Sequence, residues 1–277
     1  MRLRTRLALV ALSSLASSIA VAQTYPSSWS PNRPPRLVED RFRLEVGLLP
    51  VSIDTQFRLD PSDTVSGTHV DGESDLGLTD SKFVPQLELT LLPGKHHLVR
   101  LSAFTVRRSA QEVIDETIIF DDEVYLPNER VDSELNLSLV GLTYGYRFIA
   151  SERAELAATF GIHITEIEAN AVVRSRVVRE SETGVVPIPL FGVEGRYAFS
   201  SRWSAEGRAQ YLGGKKRDID AFISDVRGSF TWRQNPHVVW GLGYRAFHIK
   251  VDSKDEGDTG RVDLHFNGPE LFVRASL

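Results

Sequence analysis

The chain has 277 residues, with 32 Lys and Arg against 37 Asp and Glu, and its net charge of −5 argues against a nucleic-acid partner. It contains no cysteine, which excludes a disulfide framework, a thiolate metal centre and a cysteine nucleophile. No segment after the first 22 residues approaches 18 apolar residues in a row, so no transmembrane helix is expected.

Residues 1–22 have the parts of a cleaved secretory signal. Arg2, Arg4 and Arg6 supply the positive start, Leu7 to Ala16 an apolar run, and Ala20-Val21-Ala22 the cleavage pattern before Gln23. A membrane anchor needs about 20 strongly apolar residues, whereas this run is short and broken by serines. No cysteine follows the cleavage pattern, so lipoprotein processing is excluded, and loss of three arginines makes the exported chain more acidic still. Residues 23–40, "QTYPSSWSPNRPPRLVED", are rich in Pro and Ser and lack periodicity, as in a flexible periplasmic lead-in, with Trp29 a chance aromatic.

From Arg41 to Leu277 the pattern is two-residue alternation broken by turn signals. Four breaks are short: "LPGKH" (92–96), "ASER" (150–153), "FSSR" (199–202) and "RQNPH" (233–237). They alternate with longer charged ones at 60–81, 114–132, 174–184, 212–218 and 252–261. Short turns at one end and long loops at the other define about ten antiparallel strands, with both chain ends on the short-turn side. An even count with that asymmetry is the pattern of a transmembrane up-and-down β-barrel with short periplasmic turns and longer extracellular loops.

The stretch "YAFSSRWSAEGRAQYL" (197–212) shows which face looks inward. Trp203, Ala205, Gly207, Ala209 and Tyr211 alternate with Ser204, Glu206, Arg208 and Gln210, so one face is apolar and the other charged. A soluble barrel places the apolar face inside; a membrane barrel places it outside. On the apolar parity, aromatics collect beside the short turns: Tyr144, Tyr146 and Phe148; Tyr197, Phe199 and Trp203; Phe230, Trp232 and Trp240. A lipid–water interface selects such a girdle, whereas core aromatics scatter along strands. A soluble interior built from Trp at one rim and Ala and Gly midway would also pack badly. The apolar face is therefore expected to meet lipid. The other parity, with Gln86, Glu88, Glu155, His163, Glu194, Arg196, Glu206, Arg208, Asp225, Arg227 and Arg245, is expected to line the lumen.

On this pattern the chain resembles the small bacterial outer-membrane β-barrel proteins of Gram-negative cells, over the leader and residues 41–277. The last strand, "ELFVRASL", alternates Leu271, Val273, Ala275 and Leu277 as the C-terminal assembly signal does, but ends in Leu277 where that family usually has an aromatic residue. The resemblance implies a cell outer membrane location, contact with membrane lipid and lipopolysaccharide, recognition by the outer-membrane assembly machinery, and a monomer.

A ten-stranded lumen is only modestly wider than one that side chains fill. Glu155, His163, Glu194, Arg196, Glu206, Arg208, Asp225, Arg227 and Arg245 are expected to form a network that largely plugs it, since buried charges must be paired. Glu194, Arg196, Glu206 and Arg208, flanking the "FSSR" turn, are expected to act as one group. His163 is the best-placed acid–base candidate, weighed against a lumen histidine satisfied by neighbouring carboxylates. His265 lies near the outer rim with Asp263. The acidic stretches "HVDGESD" (69–75), "FDDE" (120–123) and "DSKDEGD" (252–258) lack the EF-hand spacing, and Lys215, Lys216 and Arg217 lie where lipid phosphates would be met. No catalytic residue, metal ligand set or cofactor is assigned. Two functions follow: a non-enzymatic, porin-like barrel in envelope integrity, adhesion or narrow permeation, or a hydrolase acting on peptide or lipid A through rim residues.

Overall fold

The computed structural model describes residues 40–60, 68–120, 123–173, 178–216, 219–255 and 258–277. The leader, the lead-in up to residue 39, and residues 61–67, 121–122, 174–177, 217–218 and 256–257 of the charged breaks lie outside these. Ten long strands run in chain order: β1 (Phe42–Leu59), β3 (Ser81–Leu91), β4 (His97–Val113), β7 (Arg130–Ala150), β8 (Ala154–Val173), β9 (Val178–Ala198), β10 (Trp203–Lys216), β11 (Ile219–Arg233), β12 (Val238–Asp255) and β13 (Asp258–Ser276). Three short strands lie between them: β2 (Val70–Asp71), which pairs with β1, and the hairpin β5 (Ile118–Phe120) and β6 (Glu123–Tyr125).

Each long strand pairs antiparallel with the next, and β13 returns to β1, from Arg43↔Ser276 to Leu59↔Gly260. Closure removes every long-strand edge, which a sheet in lipid requires because the bilayer offers no partner for a free N–H or C=O. The fold is a closed, all-β, ten-stranded transmembrane barrel. Its β3–β4 turn uses Gly94 at φ +72, a left-handed conformation that glycine adopts without penalty.

Burial answers the face question directly. Outward residues are large and apolar yet exposed: Phe230 and Leu242 at 62%, with Leu271, Val226 and Phe191 alongside. Inward residues are charged yet buried: Arg147 and Glu270 are each 1% exposed. A soluble protein would not leave such a belt in water while burying arginines. Tyr144, Tyr146, Tyr197, Phe199, Trp203 and Trp240 stand outward beside the turns. At Arg147/Ile149 a β-bulge shifts the register, so that Arg147 points in while Phe148 and Ile149 both face out.

Three of the charged breaks are strand rather than loop. The β8–β9 ladder continues to Val173↔Val178, β10–β11 to Lys216↔Ile219 and β12–β13 to Asp255↔Asp258. Most of 174–184, 212–218 and 252–261 therefore extends the hairpins. Above the bilayer water meets both faces, so charge can occupy either parity and alternation disappears while pairing persists. The true loops lie between β1 and β3 and between β4 and β7. An apolar cluster of Val70, Leu76, Leu78, Ile114, Ile118, Tyr125 and Val131 binds those two segments together.

Candidate functional site: a charged lumen under an apolar layer

Following the inward residues from the turn end toward the loop end, charged side chains give way to apolar ones. On β1, Arg43 and Glu45 give way to Leu49, Val51 and Ile53; on β12 and β13, Arg245, Glu270 and Arg274 give way to Phe247, Ile249, Leu264 and Phe266. The lumen thus has a charged half near the turns and an apolar half near the loops.

All ten long strands contribute to the charged half. Arg43 and Arg147 donate to Glu155 at 3.3 and 3.2 Å. Arg196 donates to Glu206 at 2.8 Å, and Arg274 joins that carboxylate to Glu45, at 2.6 and 2.9 Å. Arg227 bridges Glu45 and Glu270. Arg100 spans from Glu88 (3.0 Å) to Glu194 (2.5 Å), and Arg208 donates to Glu88 at 3.0 Å. Arg245 grips Asp225 through two nitrogens, at 2.9 and 2.8 Å, and a third reaches Gln86, which in turn donates to Glu270. The arginines are eight: Arg43, Arg100, Arg147, Arg196, Arg208, Arg227, Arg245 and Arg274. Seven acids answer them, with Asp40, 3.6 Å from Arg43, as an eighth, so the half is close to neutral. Phe272 lies between two of the cations, 4.6 Å from Arg227 and 5.3 Å from Arg274. The space left is about 60 Å³, lined by Arg43, Glu88, Arg100, Glu194 and Arg208 among others.

Eight of the nine residues proposed from sequence lie in this set. The four beside the "FSSR" turn do not form a group of their own. Arg196 and Glu206 pair directly, but Glu194 and Arg208, opposite each other in register, reach across to Arg100 and Glu88. The lumen is narrow and these side chains are long, so a partner across the barrel is as near as one beside it. His163 is buried, and neither ring nitrogen has a hydrogen-bond partner, so the expected satisfaction by carboxylates is absent among the described residues. It packs over Gly141, where a Cβ would sit 2.7 Å from the ring. Arg43, Glu45, Arg100, Arg147, Glu270 and Arg274 were not singled out in the sequence, although each stands on the inward parity of its strand. Parity alone would have found them.

The apolar half holds Leu49, Val51, Ile53, Val84, Phe104, Val106, Leu137, Leu139, Ile188, Leu190, Ile223, Phe247, Ile249, Leu264 and Phe266 in one cluster. Phe247 stacks on Phe266 at 4.7 Å, and Phe104 meets Phe266 edge-on at 5.4 Å. Above it, Arg108 pairs with Glu73 from the β1–β3 segment and with Thr55, while Glu73 accepts from the Thr55 amide at 2.8 Å. Asp71 and Asp75 in "HVDGESD" likewise accept backbone amides, at 2.8 Å from Ser74 and from Asp71. This acidic stretch is a hydrogen-bonded turn.

On the outside of the wall, His248 of β12 and His265 of β13 are directly paired in register, and their rings stack at 3.6 Å. Both Nε2 atoms approach Oδ1 of Asp263, at 2.9 and 3.0 Å.

No known protein family's sequence profile matches the chain, and no curated protein matches it in sequence. Solved structures do. The outer membrane protease OmpT from Escherichia coli superposes with a TM-score of 0.57 at 9% identity, covering 90% of this chain and 100% of that one. OprG from Pseudomonas aeruginosa gives 0.36 at 10% identity (85% and 95% covered), and Ail of Yersinia pestis 0.35 at 11% (84% and 99% covered). The chain has the fold of the outer-membrane β-barrel proteins.

Proposed function

We propose that the protein is a monomeric integral barrel of the bacterial outer membrane. Lipid and lipopolysaccharide surround it, the outer-membrane assembly machinery inserts it, and its closed lumen serves envelope integrity or adhesion rather than permeation. The observation that carries this reading is the two-layer filling of the lumen. In the charged half the residual space is about 60 Å³ and is lined by paired arginines and carboxylates. In the loop half the apolar cluster offers a hydrated ion no polar partner. The fold alone is shared with OmpT, so a rim hydrolase draws no support from that likeness. The rim histidines His248 and His265 rest on the outside of the wall, on a single carboxylate.

Planar-bilayer recording of refolded protein tests the proposal. No steady current is expected from the wild type, and Phe104→Ser with Phe266→Ser should introduce one. An ohmic current through the wild-type barrel would overturn it.

A further inference from the structure

His248, Asp263 and His265 stand apart from everything the lumen does. Inward residues on these strands are Phe247, Ile249, Leu264 and Phe266, so the three point away from the barrel axis. On β12 His248 lies eight residues beyond Trp240 of the turn-side girdle. That is about 26 Å of strand at about 3.3 Å per residue, or about 20 Å along the bilayer normal at a strand tilt of about 40°, most of an apolar band about 25 Å tall. Phe222 packs on His248 at 5.0 Å and Tyr211 on Phe222 at 5.5 Å, a second aromatic level at the loop side. The triplet therefore lies toward the outer end of the apolar band, beside the outward polar residues Asp54, Gln56 and Lys250, with side-chain exposures of 45% for His265, 25% for His248 and 19% for Asp263.

We infer that His248, Asp263 and His265 bind one divalent transition-metal ion, of the zinc type, on the outer wall of the barrel. Polar residues above a lipid belt are ordinary; convergence of three ligand atoms is what separates these. The histidines face each other across the β12–β13 ladder, and Asp263 precedes His265 by two residues on the same face. One ligand atom from each residue lies within 4.8 Å of the others. Metal bonds of about 2.0–2.1 Å in a tetrahedron put neighbouring ligand atoms about 3.3 Å apart, so the present 2.9 and 3.0 Å separations need only small shifts. Two imidazole nitrogens and one carboxylate oxygen suit Zn²⁺, Cu²⁺ or Ni²⁺ and not the hard Ca²⁺ or Mg²⁺, which take all-oxygen sets. Three protein ligands leave a fourth position for water.

The surroundings fit. Lys250 Nζ lies 3.8 Å from Oδ2 of Asp263, the oxygen not aimed at the histidines, and orients the carboxylate as outer partners of metal ligands do. Asp54 and Gln56 of β1 stand opposite His265 and Asp263 in register, adding one acid to offset that cation. Each imidazole would bind through Nε2, which must first give up any proton it shares with Asp263. An ion here would also tie β12 to β13, the strand that closes the barrel on β1.

The test uses tag-free, full-length protein refolded in detergent and titrated with ZnCl₂ by calorimetry, with CuCl₂ spectra by electron paramagnetic resonance in parallel. The wild type should bind one Zn²⁺, and Cu²⁺ should show coupling to two imidazole nitrogens. His248→Gln, His265→Gln and Asp263→Asn should each weaken binding at least about tenfold, with one nitrogen coupling lost in either histidine variant. Zn²⁺ should raise the urea midpoint of the wild type and not of His248→Gln/His265→Gln. His96→Gln/His97→Gln, the vicinal pair at the opposite end, should leave binding unchanged. Absence of Zn²⁺ binding by the wild type, retention in the His248→Gln/His265→Gln variant, or loss in the His96→Gln/His97→Gln variant would each overturn the assignment. All three sites are on the outer surface, and faster gel migration before boiling verifies that each variant has folded. The outcome is independent of whether the lumen conducts.

Discussion

Asp225 and Arg245 offer the sharpest test of how the lumen is held. Asp225 is buried on β11, and both its oxygens accept from Arg245, at 2.9 and 2.8 Å. Asp225→Ala leaves the guanidinium with the neutral Gln86 oxygen at 3.0 Å and the Phe104 ring at 5.2 Å. A ring contact contributes about 0.5–2 kcal/mol, too little to replace a carboxylate, so the loss should be about 3–5 kcal/mol. Arg245→Ala should cost a similar amount by stranding Asp225. In Asp225→Leu/Arg245→Met both charges are gone and the volume is nearly kept. What remains is the Gln86 oxygen without its donor, about 1–3 kcal/mol. The double variant should therefore be more stable than either single one. Urea unfolding in detergent micelles, followed by tryptophan emission and by gel migration, measures all three. Losses that add to within about 0.5 kcal/mol would refute the pairing. Glu206→Ala with Arg208→Ala supplies the contrast. Arg208 leans on Glu88 while Glu206 is held by Arg196 and Arg274, so these two changes should come close to additive.

Three further outcomes are expected. Unboiled protein should migrate faster than boiled protein in SDS gels, because a closed barrel has no edge at which unfolding begins; equal migration would contradict closure. Val226→Arg, outward near the middle of the apolar belt, should cost about 2–4 kcal/mol, whereas Asp54→Arg, outward and nearer the loops, should cost about 0–1 kcal/mol, and equal losses would mean that Val226 does not face the middle of the bilayer. Gly141→Ala should lose about 1–3 kcal/mol, since its Cβ would meet His163 at 2.7 Å and Ser102 at 2.8 Å. Adding His163→Ala should recover most of that loss in the same urea assay.

The barrel was legible because lipid and lumen impose opposite demands on alternate residues of each strand. Trp203, Ala205 and Ala209 against Glu206, Arg208 and Gln210 state that contrast within a single strand, and the aromatics beside the turns orient it. Individual partners were not legible. Arg208 lies opposite Glu194 in register yet bonds to Glu88, on a strand across the lumen and far away in sequence. Which acid an inward arginine meets depends on barrel diameter and stagger, neither of which is local in sequence. The histidine pair was hidden differently. His248 and His265 each lie seven residues from the Asp255↔Asp258 pair, and that register sets them opposite each other. Reading 252–261 as a loop removed the register needed to see it.

The apolar layer is not marked in the sequence, because alternation is the signal and there the signal vanishes. In "LLPVSI" (48–53), Leu48 is 51% exposed and Leu49 is 1% exposed, and nothing in the residue types separates them. Lipid outside and a close-packed lumen inside both accept a leucine, so two neighbouring apolar residues carry no information about direction. That blindness matters for function. A ring of paired charges remains polar, and water between arginine and glutamate side chains can still relay an ion. In the proposed reading, the fifteen apolar side chains stacked in series with the ring interrupt any such path. The proposed closure therefore depends on Phe104, Phe247 and Phe266 more than on the ion pairs. Ion pairs govern stability instead, since each unpaired charge would be buried at a cost that only its partner offsets. Sealing and stability are thus assigned to different halves of one lumen, and substitutions in the two halves should separate them.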